Sequence, residues 1–461
     1  LCSLLSGSEG TLAFTTEVKI HLNPLPPSEQ VLLCPHFNSV QDCLKAVLIA
    51  MKHQPQACEM MDKIVLDCTK GHREYEQYRF FLNGDPKALL IIEFVANQIE
   101  DARIKSEALI EDFKKAGLGY AFSTVEGKDI NKVWHLRKAG LGLLANIPGD
   151  KKAVAVIEDT AVRLDELPEY IEEFTAMMES YGQQSVYYAH AGAGELHLRP
   201  ILDLKAEKDR VLFRAIGTDT AKLVKKYGGS LSGEHGDGRV RAEFIPLMVG
   251  EKNYKLFQAL KQTFDPYNIL NPGKIVDAPP MDAELRYKNN QKTKQFKTIL
   301  DFSDTQGILR AAEKCNGSGD CRKLPGSGGT MCPSFMATRN EKDTTRARAN
   351  ILREFLTNSD QSNSFNHEEI YQVMDLCLSC KGCLSECPSN VDMASLKAEF
   401  LYQYYKTNGV PLRAKAIANI TKLNGLGMLV RPLANFTLGN KLTSSLLKKQ
   451  LGVASQRSFP K

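Results

Sequence analysis

The last third of the chain is organised around the stretch C-L-S-C-K-G-C-L-S-E-C-P, residues Cys377 to Pro388. Its spacing, C-x2-C-x2-C-x3-C-P, is that of bacterial ferredoxins, in which two-residue gaps let consecutive thiolates bind three corners of an iron–sulfur cubane. Zinc is the competing interpretation, but zinc sites usually pair two separated C-x2-C units, and a third cysteine exceeds what one zinc ion needs. The sequence therefore predicts a [4Fe–4S] cluster.

A second group of cysteines precedes this stretch with the spacing C-x5-C-x10-C-P and comprises Cys315, Cys321 and Cys332. In two-cluster ferredoxins the cysteine before proline ligates the other cluster. By that rule the first cluster is held by Cys332, Cys377, Cys380 and Cys383. Three thiolates remain, those of Cys315, Cys321 and Cys387. They could hold a [3Fe–4S] centre, a [4Fe–4S] cluster with a non-cysteine ligand, or no stable cluster.

The composition is that of an ordinary soluble protein with two or three domains. Hydrophobic residues make up 43% and charged residues 25% of the 461 positions, and one domain is expected per about 100–200 residues. The net charge of +5 comes from 59 basic and 54 acidic residues that are interspersed, which does not favour nucleic acid as a partner. No apolar run approaches the length of about 18 residues that a transmembrane segment needs.

The other five cysteines are scattered, and they are Cys2, Cys34, Cys43, Cys58 and Cys68. Free thiols of this kind are typical of a reducing compartment, so a cytoplasmic protein is predicted. The N-terminus lacks an initial methionine and the basic and apolar segments of a signal peptide. We therefore expect Leu1 to lie in the interior of a longer protein.

Strand and helix patterns alternate over the first 277 residues. Strands are predicted at residues 14–22, 30–34, 88–95, 153–158, 185–189 and 196–202. Helices are predicted at residues 40–53, 100–115, 168–181, 209–227 and 253–264. No glycine-rich dinucleotide fingerprint follows a strand, so an α+β fold with an antiparallel sheet is favoured. Beyond a polar linker only helical periodicity remains, at residues 344–356, 368–378, 395–405 and 413–424, which predicts an all-α iron–sulfur domain.

Two histidine motifs predict a metal site. H-A-G-A-G-E-L-H contains His190 and His197, and S-G-E-H-G-D-G contains Glu234 and His235. Two imidazoles and one carboxylate, His190, His197 and Glu234, form a three-ligand site for a divalent ion, with zinc expected and one position open for substrate. The alternative is two strand histidines and a loop pair that never meet.

These motifs, followed by F-D-P-Y-N-I-L-N-P-G-K at Phe264 to Lys274, resemble the C-terminal domain of FAD-linked oxidases of the vanillyl-alcohol oxidase type. That group includes D-lactate, glycolate and D-2-hydroxyglutarate dehydrogenases. With the cysteine-rich segment, the chain most resembles bacterial FAD and iron–sulfur D-2-hydroxyglutarate dehydrogenase-like proteins. The resemblance implies a ferredoxin-like α+β domain at residues 26–277, a remnant of the FAD-binding domain at 1–25, a linker at 278–300 and the iron–sulfur domain at 301–445.

The resemblance also implies an activity and its residues. FAD would accept a hydride from C2 of a small D-2-hydroxy acid, with His235 as the base, since imidazole titrates near physiological pH. W-H-L-R-K matches a family position where an arginine, here Arg137, binds a substrate carboxylate. Lys152 and Arg199 are further substrate-binding candidates. The expected flavin contacts are Gly7, Ser8, Glu9, Gly10, Thr11, Leu12 and Asn271.

The sequence departs from this family in two ways. Dehydrogenases of the group without clusters usually have H-x-G-D-G-N-x-H, whereas Ala193 and Glu195 replace the Asp and Asn here, which could alter the ion and the substrate. Almost the whole FAD-binding domain is expected to precede Leu1, so this chain alone is expected to hold FAD poorly and to be inactive.

Electrons from the flavin are expected to leave singly through the clusters to a non-oxygen acceptor, either a quinone or a carrier protein. A membrane quinone would require peripheral attachment to the inner face of the membrane. The main alternative function is a non-catalytic electron-transfer subunit with a vestigial substrate site, and a third is a zinc-stabilised binding module.

Overall fold

The computed structural model describes residues 1–70 and 75–459, which divide into two compact units. The first unit comprises residues 1–296, 302–320 and 382–391, and the second comprises residues 297–301, 321–381 and 392–461. The cysteine-rich segment, predicted as one domain from residue 301, is therefore shared between the two units.

The first unit is built on one eight-stranded sheet in which every pair of neighbouring strands is antiparallel. The order is β4-β1-β3-β2-β7-β8-β5, and β6 also pairs with β8. The strands are β1 Glu29–Phe37, β2 Ala57–Asp62, β3 Ala88–Ala96, β4 Ala121–Glu126, β5 Lys152–Ala153, β6 Ile157–Ala161, β7 Ser185–His190 and β8 Glu195–Leu202. The predicted α+β class with an antiparallel sheet is confirmed.

Helices cover both faces of this sheet. The helices of this unit are α1 Cys2–Ser6, α2 Val40–Ala50, α3 Lys63–Asp67, α4 Ile99–Lys115, α5 Ile130–Leu143, α6 Leu167–Ser180, α7 Glu207–Lys226, α8 Ile245–Val249, α9 Glu251–Phe264, α10 Ile308–Glu313 and, later in the chain, α14 Gly382–Glu386. Alternate residues of β1 point to opposite faces: Val31 and Leu33 belong to the apolar layer that includes residues of α2, α4, α6 and α7, whereas Leu32 and Cys34 belong to the layer that includes residues of α3 and α5. Two apolar layers therefore hold the sheet, and the α5 face carries the site described below.

Local chemistry explains where the sequence predictions and the structure differ. The predicted strand at residues 14–22 was wrong, because no strand forms there and the alternating Phe14, Val18, Ile20 and Leu22 are exposed. The predicted strand at 153–158 is split into β5 and β6. Strands β2 and β4 were missed, since polar residues interrupt their apolar pattern. Helix α5 was missed because its glycines weaken the helical signal.

The second unit contains only helices within its described residues, as predicted for the iron–sulfur domain. They are α11 Pro333–Thr338, α12 Thr345–Asn358, α13 Glu368–Asp375, α15 Met393–Asn408, α16 Leu412–Ala418, α17 Ile420–Leu429, α18 Arg431–Gly439 and α19 Lys441–Leu451. Thr344 caps α12 by accepting a hydrogen bond from the backbone N–H of Ala347 at 3.0 Å. Across residues 1–70 and 75–459, none of the helices combines the length and apolarity needed to cross a bilayer.

Candidate active site

The histidines of the first motif lie on neighbouring strands. β7 ends at His190, and His197 is the third residue of β8. In the tight turn between them Gly194 has a φ of 72°, and a Cβ there would lie 2.3 Å from the carbonyl oxygen of Val162, so the turn requires glycine. Because Tyr188 is paired with His197, alternation along the strands places both imidazoles on the α5 face.

Asp159 fixes the loop that carries the second motif. It occupies a bulge in β6 with a φ of 79°. Its carboxylate accepts hydrogen bonds from the backbone N–H groups of Glu234 at 2.8 Å and His235 at 2.9 Å, and from the Ser232 hydroxyl at 2.5 Å. Burial acts to raise the pKa of Asp159, but these donors hold it below its ordinary value. An ionised Asp159 therefore presents Glu234 and His235 to the histidine strands.

The four residues of the two motifs form one cluster. The ligating atoms of His190, His197 and Glu234 lie within 4.8 Å of one another. Glu234 Oε1 is 3.4 Å from His190 Nε2, 4.0 Å from His197 Nε2 and 3.4 Å from His235 Nε2. The side chain of His197 is 5% exposed, whereas those of Glu234 and His235 are 49% and 41% exposed. The cluster is thus anchored in the fold and open on one side.

His235 also lies within ligand range. Its ring stacks on that of His197, with the centroids 5.2 Å apart. Two further trios have mutually close ligand atoms, Glu158 with His197 and His235, and Asp159 with Glu234 and His235. Burial, with nearby positive charges, lowers the pKa of His197 to about 3, which keeps the imidazole in the neutral form that binds metals.

Glu59 connects this cluster to Arg137. Its two carboxylate oxygens lie 3.0 and 2.8 Å from His190 Nδ1, and Arg137 Nη2 donates to Oε2 at 2.5 Å. The hydrogen bond to Glu59 raises the pKa of His190 and leaves Nε2 facing Glu234. A carboxylate behind a ligating histidine is the usual support of metal sites. The Arg137 guanidinium lies 3.6 Å from the centre of the Tyr188 ring, so the arginine is held from two sides.

Two more carboxylates surround the cluster. Arg199 forms an ion pair with Glu158, and both side chains are mostly buried. Burial raises the pKa of Glu195 to about 8, and the neighbouring Asp159 and Glu234 add to the effect. Glu195, which occupies the Asn position of the related motif, is thus shifted toward the protonated form.

The structure does not bring Lys152 to this cluster. It pairs in β5 with Leu202, which lies five residues beyond His197 on β8, or about 17 Å at about 3.3 Å per residue. Its ammonium donates to the carbonyl oxygen of Ile147. Nothing in this placement supports a contact between Lys152 and a substrate at the histidines.

The segment expected to contact flavin meets the same loop. Glu9 accepts hydrogen bonds from the backbone N–H groups of Asp237 at 2.6 Å and Gly238 at 3.1 Å, and Asn271 donates to the Glu9 carbonyl oxygen at 2.6 Å. Beside it, Gly7, Ser8, Thr11 and Leu12 line part of a mainly apolar cavity of about 380 Å³. Glu9, with Asn271 bonded to it, therefore lies next to the loop that carries Glu234 and His235, and flavin binding by Gly7, Ser8, Glu9, Gly10, Thr11, Leu12 and Asn271 stays a prediction.

Within the second unit, Arg348 lies between Cys332 and the helix that precedes Cys377. Arg348 Nη1 is 3.7 Å from Cys332 Sγ, and Nε donates to the carbonyl oxygen of Val373 at 2.9 Å. The chain then turns to Cys377, whose carbonyl oxygen accepts a hydrogen bond from Lys397 at 2.6 Å. Cys321 is buried in this unit and Cys380 is exposed.

Within the first unit, Cys387 lies near Cys315. Burial raises the pKa of the Cys387 thiol, with Cys315 and Asp320 close enough to contribute. Pro388 packs on α5, where a Cβ at Gly142 would lie 2.3 Å from the Pro388 Cβ. Cys387 and Cys315 are thus neighbours, and the grouping of Cys315, Cys321 and Cys387 around one cluster stays a prediction. Thiolates are the donors that iron–sulfur clusters require, so the cysteines fit such a group.

Comparison with known proteins identifies the family. Residues 25–275, more than half of the chain, match the model of the C-terminal domain of FAD linked oxidases. The chain belongs to the FAD-linked oxidases. Residues 314–392 of this FAD-linked oxidase match the 4Fe-4S dicluster domain. The resemblance predicted from the motifs is confirmed, and FAD and an iron–sulfur cluster are supported as the cofactors of this group.

The relatives of this FAD-linked oxidase include dehydrogenases. The D-2-hydroxyglutarate dehydrogenase of Pseudomonas putida is 30% identical over 98% of this chain and 48% of the relative. The D-lactate dehydrogenase of Archaeoglobus fulgidus is 30% identical over 60% of this chain and 58% of the relative. A p-cresol methylhydroxylase structure, with 17% identity and a TM-score of 0.40, covers 55% of this chain and 53% of that one. The chain spans about half the length of the curated relatives it matches.

Sequence reasoning missed three carboxylates of the FAD-linked oxidase site, those of Glu59, Glu158 and Asp159. Each gave a weak signal that could have been used. Glu59 is a lone acid within the apolar run A-C-E-M-M, and Glu158-Asp159 is an acidic pair at the end of a predicted strand. Acidic residues inside buried strands need partners, so such positions indicate a site.

Proposed function

We propose that this chain carries the substrate-binding and electron-relay parts of a flavin-dependent dehydrogenase that oxidises a small D-2-hydroxy acid to the 2-oxo acid. The observation that carries the proposal is the convergence of His190, His197, Glu234 and His235, with the three proposed ligand atoms within 4.8 Å. The named activities of the relatives support a substrate of the D-2-hydroxyglutarate or D-lactate class.

Each residue of the cluster has a proposed role. His190, His197 and Glu234 hold a divalent ion, with zinc as the proposed metal, and Asp159 keeps Glu234 in place. Bound FAD supplies hydride acceptance, and the bound ion supplies Lewis acidity. His235 removes the hydroxyl proton at its exposed imidazole, since the ring is 41% exposed beside the proposed ligands.

Arg137 is proposed to bind the substrate carboxylate. Its planar guanidinium can form a two-point contact with a carboxylate. The hydrogen bond from this guanidinium to Glu59 uses Nη2. Arg199 is proposed to line the site behind Glu158. Substrate binding by Lys152 also stays a proposal, but its position in β5 does not favour it.

Electrons are proposed to leave through the cysteines. One [4Fe–4S] cluster would be held by Cys332, Cys377, Cys380 and Cys383. Arg348 supports a common position for Cys332 and Cys377, because it approaches Cys332 Sγ and donates to the carbonyl oxygen of Val373, four residues before Cys377. A second cluster would use Cys315, Cys321 and Cys387, which the match to a dicluster domain supports. The acceptor is proposed to be a quinone or a carrier protein, with the enzyme in the cytoplasm or peripheral to the inner face of the membrane.

The test uses the complete gene product, purified without oxygen and containing flavin. D-2-hydroxyglutarate, D-lactate and glycolate are added separately, and the loss of flavin absorbance is followed. Bleaching by at least one acid supports the proposal, and no bleaching by any of them would refute it. His235→Ala should slow bleaching by at least 100-fold with unchanged metal content, whereas loss of metal would make His235 a ligand instead of the base. The matched control is His53→Ala, at a histidine that is paired with Asp112 away from the cluster. It should change neither the rate of bleaching nor the metal content.

A further inference from the structure

Arg348 is an almost completely buried cation beside a predicted cluster ligand. It lies on α12 and is 1% exposed. Nη1 donates to the carbonyl oxygen of Asp343 at 2.7 Å and to the Ser334 hydroxyl at 3.0 Å, and lies 3.7 Å from Cys332 Sγ. A guanidinium removed from water is costly unless a negative group compensates it.

The available partners compensate this charge only in part. The nearest carboxylate oxygen, Asp343 Oδ1, is 3.8 Å from Nη2, and Nη2 makes no hydrogen bond within the described part of the chain. Neutral oxygens satisfy the other nitrogens. A thiolate at Cys332, carrying part of the charge of a cluster, would supply the missing negative group.

Lys397 places a second cation on the same site. This half-buried lysine of α15 donates from Nζ to the carbonyl oxygen of Cys377 at 2.6 Å. The same Nζ donates to the carbonyl oxygen of Asp375 at 3.3 Å. Arg348 therefore lies against Cys332 and Lys397 against the backbone of Cys377, on the helices α12 and α15, which contact each other.

We propose that Arg348 and Lys397 raise the reduction potential of the cluster held by Cys332 and Cys377. The inference rests on the proposed iron–sulfur relay and names the residues that set its potential. One-electron reduction adds one negative charge to the cluster, and no bond or proton changes place. A fixed positive charge at short range in a buried site stabilises the more negative, reduced form. A hydrogen bond from Arg348 to the cysteine sulfur acts in the same direction.

The direction of this effect matters for the relay. Flavin delivers two electrons and a cluster accepts one at a time. A cluster with a raised potential accepts the first electron from reduced flavin more completely. Arg348 and Lys397 are thus positioning residues for electron flow, since neither is expected to touch substrate.

The test is a redox titration of the complete gene product, followed by electron paramagnetic resonance. The relevant signal is the one that changes in Cys332→Ala. At a fixed ambient potential, Arg348→Gln should lower the ratio of reduced to oxidised cluster by about tenfold, which is about 59 mV for a one-electron couple. Lys397→Gln should lower the ratio in the same direction by a smaller factor. Arg348→Lys, which keeps the charge, should lower the ratio of reduced to oxidised cluster less than Arg348→Gln does.

Arg346→Gln is the matched control, because Arg346 is on the same helix and pairs with Glu341 near the surface. It should leave the ratio within twofold of the parent protein. Unchanged ratios in both Arg348→Gln and Lys397→Gln, with iron content intact, would overturn the inference and leave the proposed relay standing. If Arg348→Gln does not retain iron, Lys397→Gln decides: a lowered ratio supports the inference, and an unchanged one overturns it. Absence of any cluster signal in the parent protein would instead refute the relay.

Discussion

Replacing Glu59 by glutamine is expected to weaken metal binding although all three proposed ligands stay in place. The Glu59 carboxylate lies 2.8 and 3.0 Å from His190 Nδ1 and 2.5 Å from Arg137 Nη2. Glutamine has nearly the same shape, but its neutral amide lacks the charge that orients His190 and balances Arg137. The substitution therefore tests support of the site without removing a ligand.

The magnitude follows from these contacts. Loss of the carboxylate behind a ligating histidine costs about 10–100-fold in metal affinity. The side chains of Glu59 and Arg137 are 13% and 8% exposed, and breaking an ion pair that is so buried costs about 3–5 kcal/mol of folding stability. We expect the Kd for Zn²⁺ to rise by about 10–100-fold, measured by titrating metal-free protein against a chromogenic chelator, and the Tm to fall in parallel scans.

Glu126→Gln is the matched control for this experiment. Glu126 also pairs with an arginine, Arg103, at 2.7 Å, but it lies on the edge strand β4 and its pair is more exposed. It should bind Zn²⁺ as the parent protein does. If Glu59→Gln bound Zn²⁺ within twofold of the parent, or if both variants lost affinity equally, Glu59 would not be the support of His190.

Three further substitutions test other parts of the molecule. Arg137→Lys should raise KM for the 2-hydroxy acid at least tenfold with an unchanged flavin spectrum, because an ammonium cannot make the planar contact; steady-state kinetics and absorbance check this. Burial raises the pKa of Asp62 to about 7, above its unfolded value of about 4, so its contribution to stability falls as pH rises from about 4 to 7. Between about pH 4 and 7, the free energy of unfolding of Asp62→Asn, measured by urea titration, should increase relative to that of the parent by more than about 1 kcal/mol, at about 1.4 kcal/mol per pKa unit. A pH-independent difference between the two free energies would contradict the buried neutral acid. Gly142→Ala should lower iron and sulfide content, since its Cβ would lie 2.3 Å from that of Pro388. Gly425→Ala, where nothing lies within 4 Å, should retain both.

The features that sequence predicted well are those with a local signature. β3, Ala88–Ala96, is apolar except for Glu93 and lies inside the sheet, with its residues buried or half-buried. The helices with clear periodicity, such as α7, were placed within two residues of their observed ends. His190, His197, Glu234 and His235 stood out because imidazoles and carboxylates recur in short glycine-rich motifs, and the structure brings them together.

The features that sequence missed depend on contacts between distant parts of the chain. Glu59 meets His190 across 131 positions and Arg137 across 78, and no local pattern encodes such a meeting. Asp159 acts through a bulge, which period-two alternation cannot reveal. Lys152 was chosen for its charge, but strand register places it far along β8 from the histidines.

One helix joins the two ends of the proposed reaction. Arg137 and Gly142 both lie on α5, five residues or about 7.5 Å apart along its axis. The first reaches the histidine cluster through Glu59, and the second seats Pro388, the residue after Cys387. An α-helix resists stretching. The gap between the place where a substrate would lose its electrons and the loop that would collect them is therefore fixed by the helical rise between Arg137 and Gly142. Insertions in surface loops leave that gap unchanged, whereas a single residue added between these two positions would alter both its length and its angle.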